Sequence, residues 1–293
     1  RPTVQASGDI NGDGVLDLVV GGDAAGHAIT LHLGRGDGSF RPSSHIDFIA
    51  SVTGLALADL DRDGIADLVA ALGSRNEIAV LISLGDGSFA PARQYAAGTF
   101  PVSVTVADFT GDGLPEVAVV TYTSRNILVF PGAGGGELGV PIVASSLLAQ
   151  VGDLPSLATG DTNGDGNVDM VLGWGGVGLL LGNGDGTFRQ RQDFDSNARY
   201  RFVTIGDLNG DGRDDLAGGF RPFVSGASGV RLFLGRADGA LTQGANLFVT
   251  GGLEAVSGAI ADVDLNGQND IVFAAGLHTG TGGSETSPPS YLQ

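Results

Sequence analysis

The nine residues Asp161-Thr162-Asn163-Gly164-Asp165-Gly166-Asn167-Val168-Asp169 carry oxygen-bearing side chains at positions 1, 3, 5 and 9 and a glycine at position 6. A short loop wraps a hard cation in this way. Alternate residues point inward, the glycine permits a sharp bend, and position 7 offers its backbone carbonyl. The ligands expected here are Asp161, Asn163, Asp165, Asn167 through its main chain, and Asp169. The pattern recurs with Asp9, Asn11, Asp13, Val15 and Asp17, with Asp59, Asp61, Asp63, Ile65 and Asp67, and with Asp207, Asn209, Asp211, Arg213 and Asp215. Two looser copies carry Asp108, Thr110, Asp112, Leu114 and Glu116, and Asp262, Asp264, Asn266, Gln268 and Asp270. Up to six Ca2+ ions are therefore expected, with the loops at 9, 59, 161 and 207 binding best and those at 108 and 262 weak or empty. A bare Asp/Asn/Gly turn does not need the carboxylate at position 9. An EF-hand or dockerin loop needs an acid at position 12 and flanking helices, whereas an apolar β-type run follows position 9 here.

Composition agrees with a metal reading. The chain has 33 acids against 15 bases, all of them arginine, for a net charge of −18. That excludes a conventional nucleic-acid binder, which needs a basic footprint. Nineteen of the acids sit at loop positions 1, 3, 5 and 9, so six divalent ions would bring −18 to −6. No cysteine is present, which excludes a disulfide framework, a zinc-thiolate site and a cysteine nucleophile. Oxygen-only acidic loops suit millimolar calcium, so an extracellular, cell-surface or periplasmic location is expected. No apolar run reaches the roughly 18 residues of a membrane span. The chain opens at Arg1 without methionine or an apolar leader, as a processed chain or a fragment would.

At 293 residues the chain is long enough for two average domains or one large closed β architecture. The loops begin at residues 9, 59, 108, 161, 207 and 262, a period near 50 that fits propeller blades. The second unit shows the grammar. Val52–Ala58 leads into the acidic loop, the run 68–72 leaves it, 78–82 is a third apolar run, and 92–96 closes the unit after the tight turn Gly85-Asp86-Gly87-Ser88-Phe89. The predicted fold is all-β: a β-propeller of four-stranded blades with six visible repeats, six- or seven-bladed, the last blade incomplete. Residues 1–293 read as a single propeller domain, with blades at about 1–50, 51–99, 100–152, 153–198, 199–252 and, in part, 253–293. First strands are rich in small residues, as innermost strands around a channel require. The second turn recurs as Leu33-Gly34-Arg35-Gly36-Asp37-Gly38-Ser39-Phe40 and as Leu181-Gly182-Asn183-Gly184-Asp185-Gly186-Thr187-Phe188, its phenylalanine expected to pack between blades.

These loops and turns resemble the FG-GAP/VCBS repeat family, which forms the propeller of integrin alpha-subunit heads and of many bacterial secreted proteins. The resemblance covers about residues 3 to 275. It implies a calcium loop between the first and second strands of each blade, opposite the usual ligand surface, and commonly seven blades. Family members include adhesion heads, lectins and enzyme-attached domains, so the resemblance implies fold and calcium more than function.

Three functional readings remain open. One is a secreted, calcium-stabilised binding or adhesion module that engages a protein or glycan through the non-calcium face, as part of a larger surface assembly. The second is an enzyme or enzyme-attached domain acting on polysaccharide, which would need carboxylates such as Asp23, Asp153, Asp193, Asp195 or Glu254 to converge outside the loops. The third is a purely structural scaffold subunit. No catalytic motif stands out, so a non-enzyme is expected. Between second and third strands the candidate ligand residues are Trp174, Phe220, Arg221, Phe223 and His278, against a reading in which the aromatics only cover blade edges. Arg35-Gly36-Asp37 spells an integrin-recognition tripeptide, yet the same turn has Asn183 in place of the arginine, which favours coincidence. Gly134, Gly136 and Gly139 match a dinucleotide fingerprint by letter but precede Pro141 rather than a helix.

Overall fold

The computed structural model describes residues 2–22, 28–48, 50–146, 155–223, 226–251 and 253–277. The chain divides into two compact units, Arg1–Ala149 and Gln150–Gln293. In the first unit three meanders form. Pro2–Gly8, Asp17–Gly22, Ile29–His32 and Ser44–Ile46 make one sheet. Val52–Ala58, Asp67–Leu72, Glu77–Leu81 and Arg93–Ala96 make the next, and Pro101–Ala107, Glu116–Thr121, Asn126–Phe130 and Ile142–Ser146 the third. The second unit holds the four-stranded sheets Ser156–Gly160, Asp169–Gly173, Val177–Leu180, Gln192–Phe194 and Ala198–Gly206, Asp215–Pro222, Gly229–Gly235, Leu241–Phe248. Leu253–Ala261 and Asp270–Leu277 pair as a two-stranded sheet. All these neighbours are antiparallel and follow chain order, with one short ribbon inserted before Ile142–Ser146, as in the blades of a β-propeller. Among the described residues the only helical element is a single 3-10 turn, Gly73–Arg75, and no helix is long and apolar enough to cross a membrane.

Hydrophobic pattern explains the layering. Second strands such as Asp67–Leu72 and Glu116–Thr121 are buried at every residue, because neighbouring blades cover both of their faces. The core therefore lies between blades. Val19, Leu31, Leu68, Leu72 and Leu81 form one cluster from blades one and two, and Val69, Ile78, Val117 and Phe130 another from blades two and three. In the second unit Val171, Leu179, Tyr200 and Phe233 join blades four and five. First strands lie against the first strands of neighbouring blades: Pro2–Gly8 on Val52–Ala58, that strand on Pro101–Ala107, and Ser156–Gly160 on Ala198–Gly206. Small residues permit this approach, since a Cβ on Gly54 would sit 3.1 Å from the Val102 carbonyl oxygen. Phe89 packs against the cluster of blades one and two as its recurrence predicts, whereas Phe40 is largely exposed and meets His32 edge-on.

Leu68 is fully buried, while Leu84 lies in a turn and is exposed. Leu68→Ala is expected to cost about 2–5 kcal/mol and Leu84→Ala at most about 0.5 kcal/mol. Urea unfolding of the two variants checks that the core lies between blades.

Candidate metal centres

Every acidic loop joins the first strand of a blade to the second. Position 9 is in each case the first residue of the second strand, paired with the last residue of the first. The pairs are Gly8 with Asp17, Ala58 with Asp67, Ala107 with Glu116, Gly160 with Asp169, Gly206 with Asp215 and Ala261 with Asp270. The loop is thus a hairpin connection whose conformation repeats. All six position-6 glycines have left-handed backbone, with φ from 79° at Gly14 to 89° at Gly64. Position 4 is left-handed as well. Arg62 (φ 67°) and Leu265 (φ 60°) hold that conformation at a cost a glycine does not have.

Two carboxylates organise the loop from opposite ends. At position 1, Asp9 Oδ1 accepts the Gly12 N–H at 2.7 Å, and Oδ2 accepts the Gly14 N–H at 2.7 Å. Asp59 accepts from Asp63 and Gly64, and Asp161 from Gly164 and Gly166, in the same manner. Burial acts to raise the Asp9 carboxyl, but the converging N–H groups of Gly14, Asn11, Gly12 and Asp13 outweigh it and hold it below the usual range. At position 9, Asp67 Oδ2 accepts the Leu60 N–H at 2.8 Å, and Oδ1 accepts the Ser83 N–H at the end of the third strand, also at 2.8 Å. Asp17 bridges Ile10 and Gly34, Asp169 bridges Thr162 and Gly182, and Asp215 bridges Leu208 and Gly235. These carboxylates are buried, and burial pushes Asp67 up to about 6 despite its hydrogen bonds. Burial raises Asp169, Asp215 and Glu116 too.

The second turn exists to meet this carboxylate. Its leading small residue comes under the main chain of the acidic loop: a Cβ on Gly132 would lie 2.7 Å from the Pro115 carbonyl oxygen, and Gly34, Gly182 and Gly235 stand as close to Leu16, Val168 and Thr162. The turn's own aspartate serves the turn. Asp37, Asp86 and Asp185 each accept the N–H and hydroxyl of the residue two further on. Asp37 in the Arg-Gly-Asp tripeptide therefore does what Asp86 and Asp185 do without a preceding arginine. In blade three the weaker sequence still closes a ribbon, Gly132–Gly134 with Glu137–Leu138.

The donor set fits Ca2+. It is all oxygen, and a carboxylate that already accepts N–H bonds keeps lone pairs for a cation. Carboxylate oxygens of Asp59, Asp61 and Asp67 lie within 4.8 Å of one another, as do those of Asp108, Asp112 and Glu116, and of Asp262, Asp264 and Asp270. In the loops at 9, 161 and 207 the third position is Asn11, Asn163 or Asn209, whose carbonyl oxygen accepts the N–H of position 5. At position 5, Oδ1 accepts the N–H of position 7: Val15 to Asp13, Ile65 to Asp63, Leu114 to Asp112, Asn167 to Asp165 and Arg213 to Asp211. Gln268 donates likewise to Asn266 Oδ1. The remaining oxygen differs between loops. Asp13 Oδ2 is 3.2 Å from Arg41, Asp165 Oδ2 is 3.8 Å from Arg189, and Asp211 Oδ2 is 2.5 Å from Arg213. Sequence reading missed Arg41 and Arg189 and had Arg213 only as the position-7 residue of its loop. Arg41 and Arg189 each directly follow the turn phenylalanine, which was the available signal.

Loops of adjacent blades are also tied to each other. The position-8 N–H of Ala66 donates to the Asp9 carbonyl at 3.0 Å, and that of Asp214 to the Asp161 carbonyl at 2.8 Å. Pro115 holds the same position and has no N–H to give.

The expected ligand residues separate. Trp174 is 5% exposed and Phe220 3%, so neither presents a ring to solvent. Phe220 and Arg221, expected between the second and third strands, lie instead in the second strand, which continues to Pro222 with Phe220 opposite Tyr200 and Arg221 opposite Arg199. That pairing turns Phe220 inward, under the Arg231 guanidinium 4.1 Å from its ring. Arg221 is partly exposed and pairs with Glu254 at 3.2 Å. Phe223 is exposed, with Arg199 5.3 Å from its ring centre. His278 lies outside the described residues, as do Asp23 and Asp153.

Asp67→Ala and Asp61→Ala separate scaffold from ligand. Without calcium, Asp67→Ala orphans two buried N–H groups and is expected to cost about 2–5 kcal/mol. Asp61→Ala is expected to cost under about 1 kcal/mol there, because Asp61 only supports the Asp63 N–H, and to weaken calcium binding. Urea unfolding in chelator, then calcium titration, reads both.

Comparison with known proteins follows the same repeat. No curated protein matches the sequence. Among solved structures, an Agrocybe aegerita lectin described by its recognition of non-reducing terminal N-acetylglucosamine gives a TM-score of 0.65 at 22% identity, covering 98% of this chain and 79% of that one. BBS1N, in complex with ARL6DN, gives 0.59 at 14% identity over 92% of this chain and 73% of that one. The Photorhabdus luminescens Tc holotoxin pore gives 0.51 at 18% identity, over 92% of this chain but only 13% of that one. At these identities the likeness shows the fold. The model of the FG-GAP-like repeat matches residues 9–70, 59–119, 108–172 and 161–218, each window opening on position 1 of an acidic loop and running past the next. These windows together span more than half of the 293 residues, and the chain belongs to the FG-GAP-like repeat family.

Proposed function

We propose that this protein is a calcium-stabilised propeller that works as a secreted binding or adhesion module, engaging a protein or glycan at the blade ends opposite the acidic loops. The observation that carries this reading is the contrast between the two ends of each blade. At one end the loop geometry repeats in all six units. At the other, the connections from second to third strand differ: a 3-10 turn at Gly73–Arg75, the turn Arg125 closes with Thr121, the Trp174 to Gly176 turn, and a longer link after Pro222. Constant ends suit a structural ion, and varied ends suit recognition.

Within the second unit the varied end of blade five carries the best surface for a partner. Phe223 is 45% exposed and Phe248 59%; Arg199 lies over the Phe223 ring, Phe248 packs edge-on against Phe220, and Arg201 and Arg221 lie on the first and second strands of the same blade. Flat rings beside guanidinium groups suit a sugar or a protein surface. Proteins of this fold include one described by its recognition of N-acetylglucosamine and one in complex with ARL6DN, which supports either class. Of the five acids considered for catalysis, the three among the described residues are engaged in other contacts, which favours binding over an enzyme. Asp195 accepts the Tyr200 hydroxyl and pairs with Arg231, Asp193 pairs with Arg191, and Glu254 pairs with Arg201 and Arg221. Oxygen-only loops suit millimolar calcium, which supports an extracellular or periplasmic setting.

Thermal unfolding with calcium and then with excess chelator tests the first half. A ligand at 100 times its Kd contributes about 2.7 kcal/mol per site, so several filled loops are expected to raise Tm by well over 10 °C in a chain of this size. No change on chelation would sink the structural-calcium reading. A glycan array followed by Phe223→Ala and Phe248→Ala tests the second half. Binding that both substitutions leave untouched would move the ligand surface away from blade five.

A further inference from the structure

The six loops carry different counter-charges. In the loops at 9, 161 and 207, position 3 is the neutral Asn11, Asn163 or Asn209. In the same three loops, and in no other among the described residues, an arginine pairs with position 5: Arg41 with Asp13, Arg189 with Asp165 and Arg213 with Asp211. In each pair the guanidinium faces Oδ2 while Oδ1 accepts the position-7 N–H, and Asp165 Oδ2 also accepts the Asn163 side-chain amide at 3.0 Å. That is the oxygen a cation in the loop needs from position 5. The loops at 59, 108 and 262 contrast. Asp63 and Asp112 use Oδ1 in the same way and have no arginine on Oδ2 among the described residues. The last loop has Asn266 at position 5 and concentrates its charge on Asp262, Asp264 and Asp270. Three carboxylates gather within 4.8 Å in the loops at 59, 108 and 262.

We propose that Arg41, Arg189 and Arg213 are built-in counter-cations that divide the loops into two classes, with those at 59, 108 and 262 filling at lower calcium than those at 9, 161 and 207. The proposal rests on the calcium reading above. The physical argument is competition. A divalent ion entering the loop at 9, 161 or 207 must share or displace a guanidinium beside Oδ2, whereas the loops at 108 and 262 offer the same number of carboxylates, three each, with no arginine paired to them among the described residues. Entering the loop at 59 it meets four carboxylates, and the loop's own Arg62 guanidinium is turned to the Gly113 carbonyl of the next loop. The arginines also have a role without calcium. They offset carboxylates that otherwise repel, so half the loops keep their shape at low calcium while the rest depend on the ion. The assignment reverses the ranking expected from sequence, in which the loops at 9, 161 and 207 were to bind well and those at 108 and 262 poorly.

The test counts bound calcium per chain by native mass spectrometry across free calcium concentrations, with calorimetric titration in low-salt buffer alongside. In the unsubstituted protein, three sites are expected to fill first. Asp59→Ala is expected to remove one of these, and Asp207→Ala one of the later-filling sites. The triple substitution Arg41→Gln, Arg189→Gln and Arg213→Gln is expected to shift the later sites to lower calcium by about two- to fivefold each, the range of an exposed ion pair. It is also expected to lower Tm in chelator. A control triple, Arg75→Gln, Arg93→Gln and Arg125→Gln, changes net charge equally away from the later-filling loops and is expected to leave the later sites where they were. A single class of equal sites, or equal shifts in the two triples, would overturn the proposal while leaving structural calcium intact. No bound calcium at any concentration would overturn the calcium reading and the proposal with it.

Discussion

One carboxylate per blade holds the repeat together. The position-9 acid starts the second strand and reaches in two directions, to the main chain at position 2 of its own loop and, in four of the blades, to the end of the third strand. It thereby fixes the hairpin loop, the strand start and the second turn as one unit. Its burial is unfavourable for a charge, and the two N–H donors offset that only in part, as the upward shift of Asp67 shows. A cation placed among Asp59, Asp61 and Asp67 is the natural counterweight. In the loops at 108 and 207 position 1 behaves oppositely, held low by converging N–H groups, so each has one committed anion and one reluctant anion about the same centre.

Repetition makes the departures informative. Pro115 removes the main-chain link that Ala66 and Asp214 make to the preceding loop. Glu116 replaces aspartate at position 9 and reaches the Phe109 N–H at 2.7 Å with its longer side chain. Asn269 substitutes a side-chain amide for the position-8 N–H and donates to the Asp207 carbonyl at 2.9 Å. Each change preserves the hairpin while altering charge or tethering, as happens when a scaffold tolerates variation that an ion site registers.

The other blade ends follow a different logic. There the strands lengthen or stop without a common rule, and side chains pair across blades instead of within a repeat. Tyr200, Asp195 and Arg231 join blades four and five, while Glu254 brings Arg201 and Arg221 of blade five against blade six. Burial and the Asp195 hydrogen bond both push the Tyr200 hydroxyl upward, so it remains a donor at any ordinary pH. A chain with net charge −18 that gathers several of its 15 arginines on one blade has a surface distinct from its average, and a partner can be selected by it.

The sequence alone determined the repeat, the all-β class, the loop positions and the alternation of long and tight turns. Each of these is a local property: glycine at a left-handed position, aspartate two residues before its N–H donor, and five-residue apolar runs between turns. Tertiary structure decided what depends on neighbours. Trp174 and Phe220 look like ligand residues by type, but cross-strand pairing with Ala198–Gly206 carries the second strand to Pro222 and turns Phe220 into the core. Arg41 and Arg189 look like solvent residues, yet the second turn folds back to within an ion pair of a loop some 24 to 28 residues earlier. Charge compensation acts through space, whereas spacing along the chain records only which residues share a turn.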